Sequence, residues 1–250
     1  MRTVDLNSDL GESFGAYTIG RDAEVIPCIT SANVACGWHA GDSLIMRRTV
    51  ALCKENGVAV GAHPGYPDLI GFGRRNLSVS PEEAKAYVLY QVGALQAFCR
   101  AAGVPLKHVK LHGAFYNMAA KDPALARAVV DAVAEADDSL VLLALSGSEM
   151  IAAAEAKGLP SRSEVFADRG YRRDGTLVPR SQPGALITDE DEAIARVIRM
   201  VRDGVVTSVD GVDVPLRAES ICVHGDGEKA LLFVRRIRKA LEEAGIEARA

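Results

Sequence analysis

Val58-Ala59-Val60-Gly61-Ala62-His63-Pro64-Gly65 is the stretch that decides the fold. A run of small and β-branched apolar residues, too short for a helix, stops at an imidazole followed by a Pro-Gly break. That is how a buried strand ends in a loop. The same phrase recurs along the chain and places candidate strands at 3–7, 31–35, 58–62, 108–111, 140–143, 164–167 and 220–223. Each is followed by an alanine-rich amphipathic stretch, and this alternation predicts parallel strands linked by helices. The expected fold is α/β, a (β/α) barrel that is incomplete or distorted at seven strands, forming one domain over residues 1–250.

Local signals support the helices. Ser80-Pro81-Glu82-Glu83 combines an N-cap, an N1 proline and two acids, and Gly103, Gly158 and Gly245 fall where helices should stop. Ser148 is placed to cap a helix beginning near Glu149. Residues 205–216 break the rhythm, and Asp210-Gly211 between alternating apolar residues predicts a hairpin with a two-residue type I′ turn.

Composition narrows the function. The 250 residues are 48% hydrophobic and 25% charged, enough for a full core in a chain of this size. Thirty-three acids against 29 bases give a net charge of -4 without a block of one sign, so no nucleic-acid or acidic-lipid surface is signalled and small-molecule chemistry is expected. No basic and apolar leader and no run of about 18 apolar residues occurs, which predicts a cytoplasmic protein with no membrane span. Cys28, Cys36, Cys53, Cys99 and Cys222 are odd in number and form no C-x-x-C pair, the pattern of reduced thiols.

The chemistry is expected at the strand ends. Four of the five histidines, His39, His63, His112 and His224, directly follow candidate strands, and in barrels the C-terminal strand ends build the active face. Asn7, Asp9 and Glu12 after the first strand, and Asp168 and Arg169 after the sixth, belong to the same rim. Asp9, His39, His63 and His112 could hold a divalent metal, since imidazole and carboxylate suit Zn, Mn or Ni. Without one, a carboxylate such as Asp9 could activate water while an imidazole protonates a leaving nitrogen. Arg74 in Gly71-Phe72-Gly73-Arg74-Arg75, Arg169 and Lys110 are candidate clamps for an anionic substrate, whereas Arg75 reads equally well as the partner of a nearby acid. Neither a G-x-x-x-x-G-K-[ST] phosphate loop nor a G-x-S-x-G elbow occurs. Cys36 beside His39 and Cys222 beside His224 are weaker candidates for a nucleophile than for buried thiols.

Three segments carry a resemblance: Asp5-Leu6-Asn7-Ser8-Asp9-Leu10-Gly11-Glu12, residues 32–42 ending in Trp38-His39-Ala40-Gly41-Asp42, and Gly61-Ala62-His63-Pro64-Gly65-Tyr66-Pro67-Asp68. With Gly71-Phe72-Gly73-Arg74-Arg75, His112-Gly113-Ala114-Phe115-Tyr116-Asn117, Asp168-Arg169-Gly170-Tyr171 and Val223-His224-Gly225-Asp226, the chain resembles the LamB/YcsF family nearly end to end. Ser8 stands where many members carry cysteine, and Leu111 where proline often precedes the motif histidine. Neither departure removes an ionisable group of the candidate rim.

The resemblance implies a relative of the glycoside hydrolase and polysaccharide deacetylase barrels. It also implies one component of an ATP-dependent 5-oxoprolinase, working with B and C subunits to open 5-oxo-L-proline to L-glutamate, with ATP and its Mg used by the complex. On that reading Asp9, Glu12, His39, His63 and His112 are the catalytic group. Asn7, Asp42, Arg74, Lys110, Asp168, Arg169, His224 and Asp226 would bind substrate. Two other readings stay open: a stand-alone metal-dependent amidohydrolase or deacetylase, and a non-catalytic lactam-binding subunit. Self-association into a homo-oligomer is also left open by the sequence.

Overall fold

The computed structural model describes residues 2–223 and 228–250, with the side chains of 228–230 left out; His224 and Asp226 therefore lie outside the described residues. The strands are β1 (Arg2–Leu10), β2 (Ser31–Ala35), β3 (Ala59–His63), β4 (Leu106–Val109), β5 (Val141–Leu145), β6 (Ser161–Phe166), β7 (Val205–Thr207), β8 (Asp213–Pro215), β9 (Ser220–Cys222) and β10 (Ile246–Ala248). The helices are α1 (Asp22–Val25), α2 (Ser43–Asn56), α3 (Pro81–Ala102), α4 (Gly113–Ala119), α5 (Pro123–Ala136), α6 (Glu149–Lys157), α7 (Glu190–Asp203) and α8 (Glu228–Glu243).

Seven parallel strands run in the order β1-β2-β3-β4-β5-β6-β9, and β9 pairs back onto β1, so the barrel is closed. All seven expected strands are present. β10 is an addition the sequence does not announce. It pairs with the first residues of β1, Arg2 to Val4, before β1 enters the barrel.

The expected caps form, with one exception. Ser80 and Glu83 make the reciprocal capping box of α3, and Gly103 and Gly158 close α3 and α6 in the left-handed conformation. Ser148 stands at the N-cap of α6, but its side chain caps nothing and its buried hydroxyl has no partner. The hairpin forms between β7 and β8, with a correction to its turn. Gly211 donates to the Ser208 carbonyl and Ser208 to the Val212 carbonyl. Only Gly211 has positive φ, so the loop is the three-residue kind with a left-handed glycine, since type I′ needs positive φ at both central residues.

The barrel interior is polar, unlike the branched apolar layers usual in β/α barrels. Alternation along β1 turns Asp5, Asn7 and Asp9 inward, while Val4, Leu6 and Leu10 join the apolar core. Asp5 accepts from Thr30, Ser31 and Ser220. Asn7 donates to Glu164 and Ser220 and accepts from Asn33. Asp9 accepts from Asn33 and Lys110. Three such levels stack along the axis, and each buried polar group can exist there because its partners replace water.

Gly61 shows how tightly this interior is filled. A Cβ at Gly61 would lie 2.0 Å from His108 Nε2; the missing side chain is what lets the His108 imidazole on β4 reach over β3 to Asn33 Oδ1 on β2 at 2.8 Å.

Candidate functional site

At the C-terminal end of the strands the polar interior opens into a cavity of about 940 Å³. Asp9, Glu12, His63, Lys110, His112 and Arg169 are among the residues that line it. β1 delivers Asp9 and the following turn delivers Glu12; His63 ends β3, and His112 stands just before α4. His39 lies behind them, fully buried.

The groups are in contact. His39 Nε2 is 3.2 Å from Glu12 Oε1, and the His39 and His112 rings stack at 3.7 Å with 3° between their planes. His112 Nδ1 lies 3.0 Å from His63 Nε2 and 3.5 Å from Glu12 Oε1. His63 Nε2 is 3.3 Å from Asp9 Oδ2. On their far sides His63 Nδ1 meets the Lys110 carbonyl at 2.8 Å and His112 Nε2 meets the Phe72 carbonyl at 2.8 Å. Burial, with the neighbouring imidazoles next in size, holds His39 and His112 well below the ordinary 6.5. Both are therefore neutral at neutral pH.

Lys110 sits below this group with 2% of its side chain exposed, 2.9 Å from Asp9 Oδ1 and 2.8 Å from Glu164 Oε1. It also lies 3.1 Å from Asn7 Oδ1 and 3.1 Å from Cys222 Sγ. Burial acts to lower it, but Asp9, Cys222 and Glu164 hold it well above the ordinary lysine value. The carboxylate Glu164 is completed by Tyr116, whose hydroxyl donates to Oε2 at 2.7 Å. Neither Glu164 nor Tyr116 is among the residues expected from sequence. A charged residue inside an apolar strand, as in Glu164-Val165-Phe166-Ala167, is the signal available for the first; the second lies in the His112-Gly113-Ala114-Phe115-Tyr116-Asn117 segment, which does not say what its hydroxyl meets.

The loop after β3 is built to present a carbonyl to His112. Buried Asp68 accepts from Gly71 N–H and is bound by the Arg75 guanidinium, which makes Arg75 the partner of an acid and a loop fastener. Phe72 is the one non-glycine with positive φ (54°) among the described residues, a costly conformation for an aromatic side chain. Gly73 follows in the same region (φ 62°), and a Cβ there would come within 2.8 Å of the His112 ring.

Other candidates fall differently. Arg74 lines the cavity from an exposed position, its guanidinium 4.9 Å from the Phe72 ring centre. Arg169 lines it as a buried guanidinium that donates to the Ala185 and Val178 carbonyls, and burial, with Arg180 next, lowers it to about 10. Asn7 is fully buried beneath Lys110 and does not line the cavity, so it supports the site from below and does not touch what enters. Asp42 caps α2 through the N–H groups of Leu44 and Ile45 and holds that of Gly15. Its oxygens are committed to backbone, and like Asp168 it does not line the cavity. Burial pushes the Cys36 thiol up to about 12 and Cys222 well above its ordinary range, which removes both as thiolate nucleophiles.

Known proteins are similar to this chain in sequence and in fold. The A subunit of 5-oxoprolinase from Clostridium beijerinckii is 60% identical over 99% of this chain and 97% of its own. The Bacillus subtilis protein of the same name is 56% identical over 100% and 97%. The crystal structure of a lactam utilization protein from Thermus thermophilus superposes with a TM-score of 0.93 at 50% identity, covering 99% of both chains. A family 4 carbohydrate esterase from Streptomyces lividans, at a TM-score of 0.50 and 12% identity over 99% of this chain and 91% of its own, shares the fold alone. The LamB/YcsF family model matches residues 4–250, and with these full-length relatives the chain belongs to the LamB/YcsF family.

Proposed function

We propose that this chain is the A subunit of an ATP-dependent 5-oxoprolinase that opens 5-oxo-L-proline to L-glutamate together with B and C subunits. The observation that carries the reading is the set of buried carboxylates and imidazoles at the floor of a cavity with guanidiniums on its wall, in a chain similar over its full length to the A subunits of 5-oxoprolinases. A small anionic lactam needs both halves of that description: charge to hold its carboxylate and proton-transfer groups at its amide.

An unstrained lactam is a poor electrophile. Phosphorylating its amide oxygen would make an activated imidate that water can attack. On this reading ATP and its Mg are handled by the partner subunits. Arg169, with Arg74 nearer the mouth, is the clamp for the substrate carboxylate. Asp9 or Glu12 orients and deprotonates water, with His63 and His112 beside them and His39 behind, holding Glu12. Lys110 fixes Asp9 Oδ1, leaving Oδ2 toward His63. The imidazole and carboxylate donors also fit a divalent ion, which when bound would polarise the water or the carbonyl.

The test is add-back. In extracts of a strain lacking only this chain, ATP-dependent glutamate release from 5-oxoproline should be lost and should return with the purified protein. Unchanged release in the deleted strain would sink the reading and move a stand-alone hydrolase ahead of it.

A further inference from the structure

The histidine cluster contains a hydrogen-bond conflict, and its resolution identifies which groups would bind a cation. A neutral imidazole carries one N–H. A carbonyl oxygen can only accept, so His63 must place its proton on Nδ1 for the Lys110 carbonyl, and His112 must place its proton on Nε2 for the Phe72 carbonyl. The two nitrogens that remain, His63 Nε2 and His112 Nδ1, then face each other with bare lone pairs at 3.0 Å. Asp9 Oδ2 lies 3.3 Å from the first and Glu12 Oε1 3.5 Å from the second. The facing nitrogens thus have one carboxylate oxygen beside each, and the ligand atoms of Glu12, His63 and His112, with that of His39, lie within 4.8 Å of one another.

His39 differs from the other two. Its Nε2 meets Glu12 Oε1, while its Nδ1 is buried and has no partner. If Nε2 were turned over to a cation, the ring's proton would move to Nδ1 and become a buried donor with nothing to accept it, a costly arrangement. Metal-binding histidines nearly always donate their second N–H to a carbonyl or carboxylate; His63 and His112 meet that condition and His39 does not. The favoured arrangement keeps the His39 proton on Nε2, donating to Glu12 while the ring stacks on His112.

We propose that His63 Nε2, His112 Nδ1, Asp9 and Glu12 form a site for one divalent cation, and that His39 is a positioning residue that orients Glu12 and His112 without binding the ion. A shared proton can bridge only one pair of these acceptors, whereas a dication can take several at once. The carbonyl partners of His63 and His112 fix each ring with its free nitrogen inward before any ion arrives. The set takes Zn, Mn, Ni or Co by its nitrogen and oxygen chemistry.

The test uses the full chain, stripped with chelator and titrated with Co(II), then with Zn(II), without lactam, ATP or partner subunits. One equivalent should bind, Co(II) should give the visible absorption of nitrogen and oxygen ligation, and His63→Gln and His112→Gln should each weaken binding at least tenfold. His39→Asn should retain one equivalent with affinity changed less than tenfold. Asp9→Asn, which keeps the side-chain shape, should weaken binding and so guards against variants that merely misfold. Failure of the stripped wild-type chain to bind Co(II) or Zn(II) would overturn the proposal in favour of a shared proton. Loss of the site in a folded His39→Asn chain would overturn the assignment of ligands. Because uptake is read on the isolated chain, binding of one ion by a protein not needed for glutamate release would sink the proposed function and leave this site standing.

Discussion

Lys110 joins two carboxylates, an amide and a thiol inside the barrel, and its removal would leave Asp9 and Glu164 facing each other across the axis. Removing one partner from a buried ion pair leaves the others uncompensated and costs about 3–5 kcal/mol; Lys110→Met should therefore lower unfolding stability by about 3 kcal/mol in denaturant titration, and an unchanged midpoint would show that Asp9 and Glu164 do not depend on it. His108 supplies a pH dependence. Burial lowers it from 6.5 to about 4, so below pH 6.5 the unfolded chain takes up a proton the folded chain refuses. The sign follows from linkage: the His108 contribution is present above pH 6.5 and is lost as pH falls toward about 4, by about 3 kcal/mol in total. Stability measured across that window should flatten in His108→Gln, and an unaltered slope would assign the dependence elsewhere. His63 and His112 are legible in sequence because they follow strands directly. Glu164, Tyr116 and Asn33 are not. A polar residue inside a strand does not declare whether its face looks into a polar barrel or outward to the helices, and a tyrosine on a helix does not declare its partner.

Elements differ in how far local chemistry determines them. α3 has its start written in four residues, and Ser80→Ala should cost about 1 kcal/mol by breaking both halves of the capping box, read as a fall in Tm; a change near zero would mean that tertiary packing against α5 sets the helix start. The hairpin is legible in Asp210-Gly211, but its turn length is not, since that dipeptide serves two-residue and three-residue loops alike. β10 goes unread because Ile246-Glu247-Ala248 has no strand signature of its own and is made a strand by the free edge of β1. Gly61 shows the reverse case, a glycine inside a strand whose reason lies on the next strand. Gly61→Ala would drive a methyl into the His108 ring and should destabilise by about 1–3 kcal/mol, the usual range for overpacking; a well-folded variant of unchanged Tm would mean that His108 can leave the barrel centre.

On the scale of the molecule, the barrel's polar axis and its rim of carboxylates and imidazoles are one connected network. It runs from Asp5 through Ser220, Asn7 and Lys110 to Asp9 and His63. Helices and the apolar shell hold the network in place, and among the described residues no helix is long and apolar enough to cross a membrane. The account stands or falls on whether the carboxylate at the cavity floor takes part in ring opening. The most direct measurement is glutamate release from 5-oxoproline by the complex assembled with ATP and either the wild-type chain or Asp9→Asn, whose amide oxygen can still accept from Lys110 and Asn33. Release should fall about 100-fold or more, the scale of a lost general base; full turnover by the Asp9→Asn enzyme would contradict the account and leave this chain as a lactam-binding subunit whose chemistry happens elsewhere.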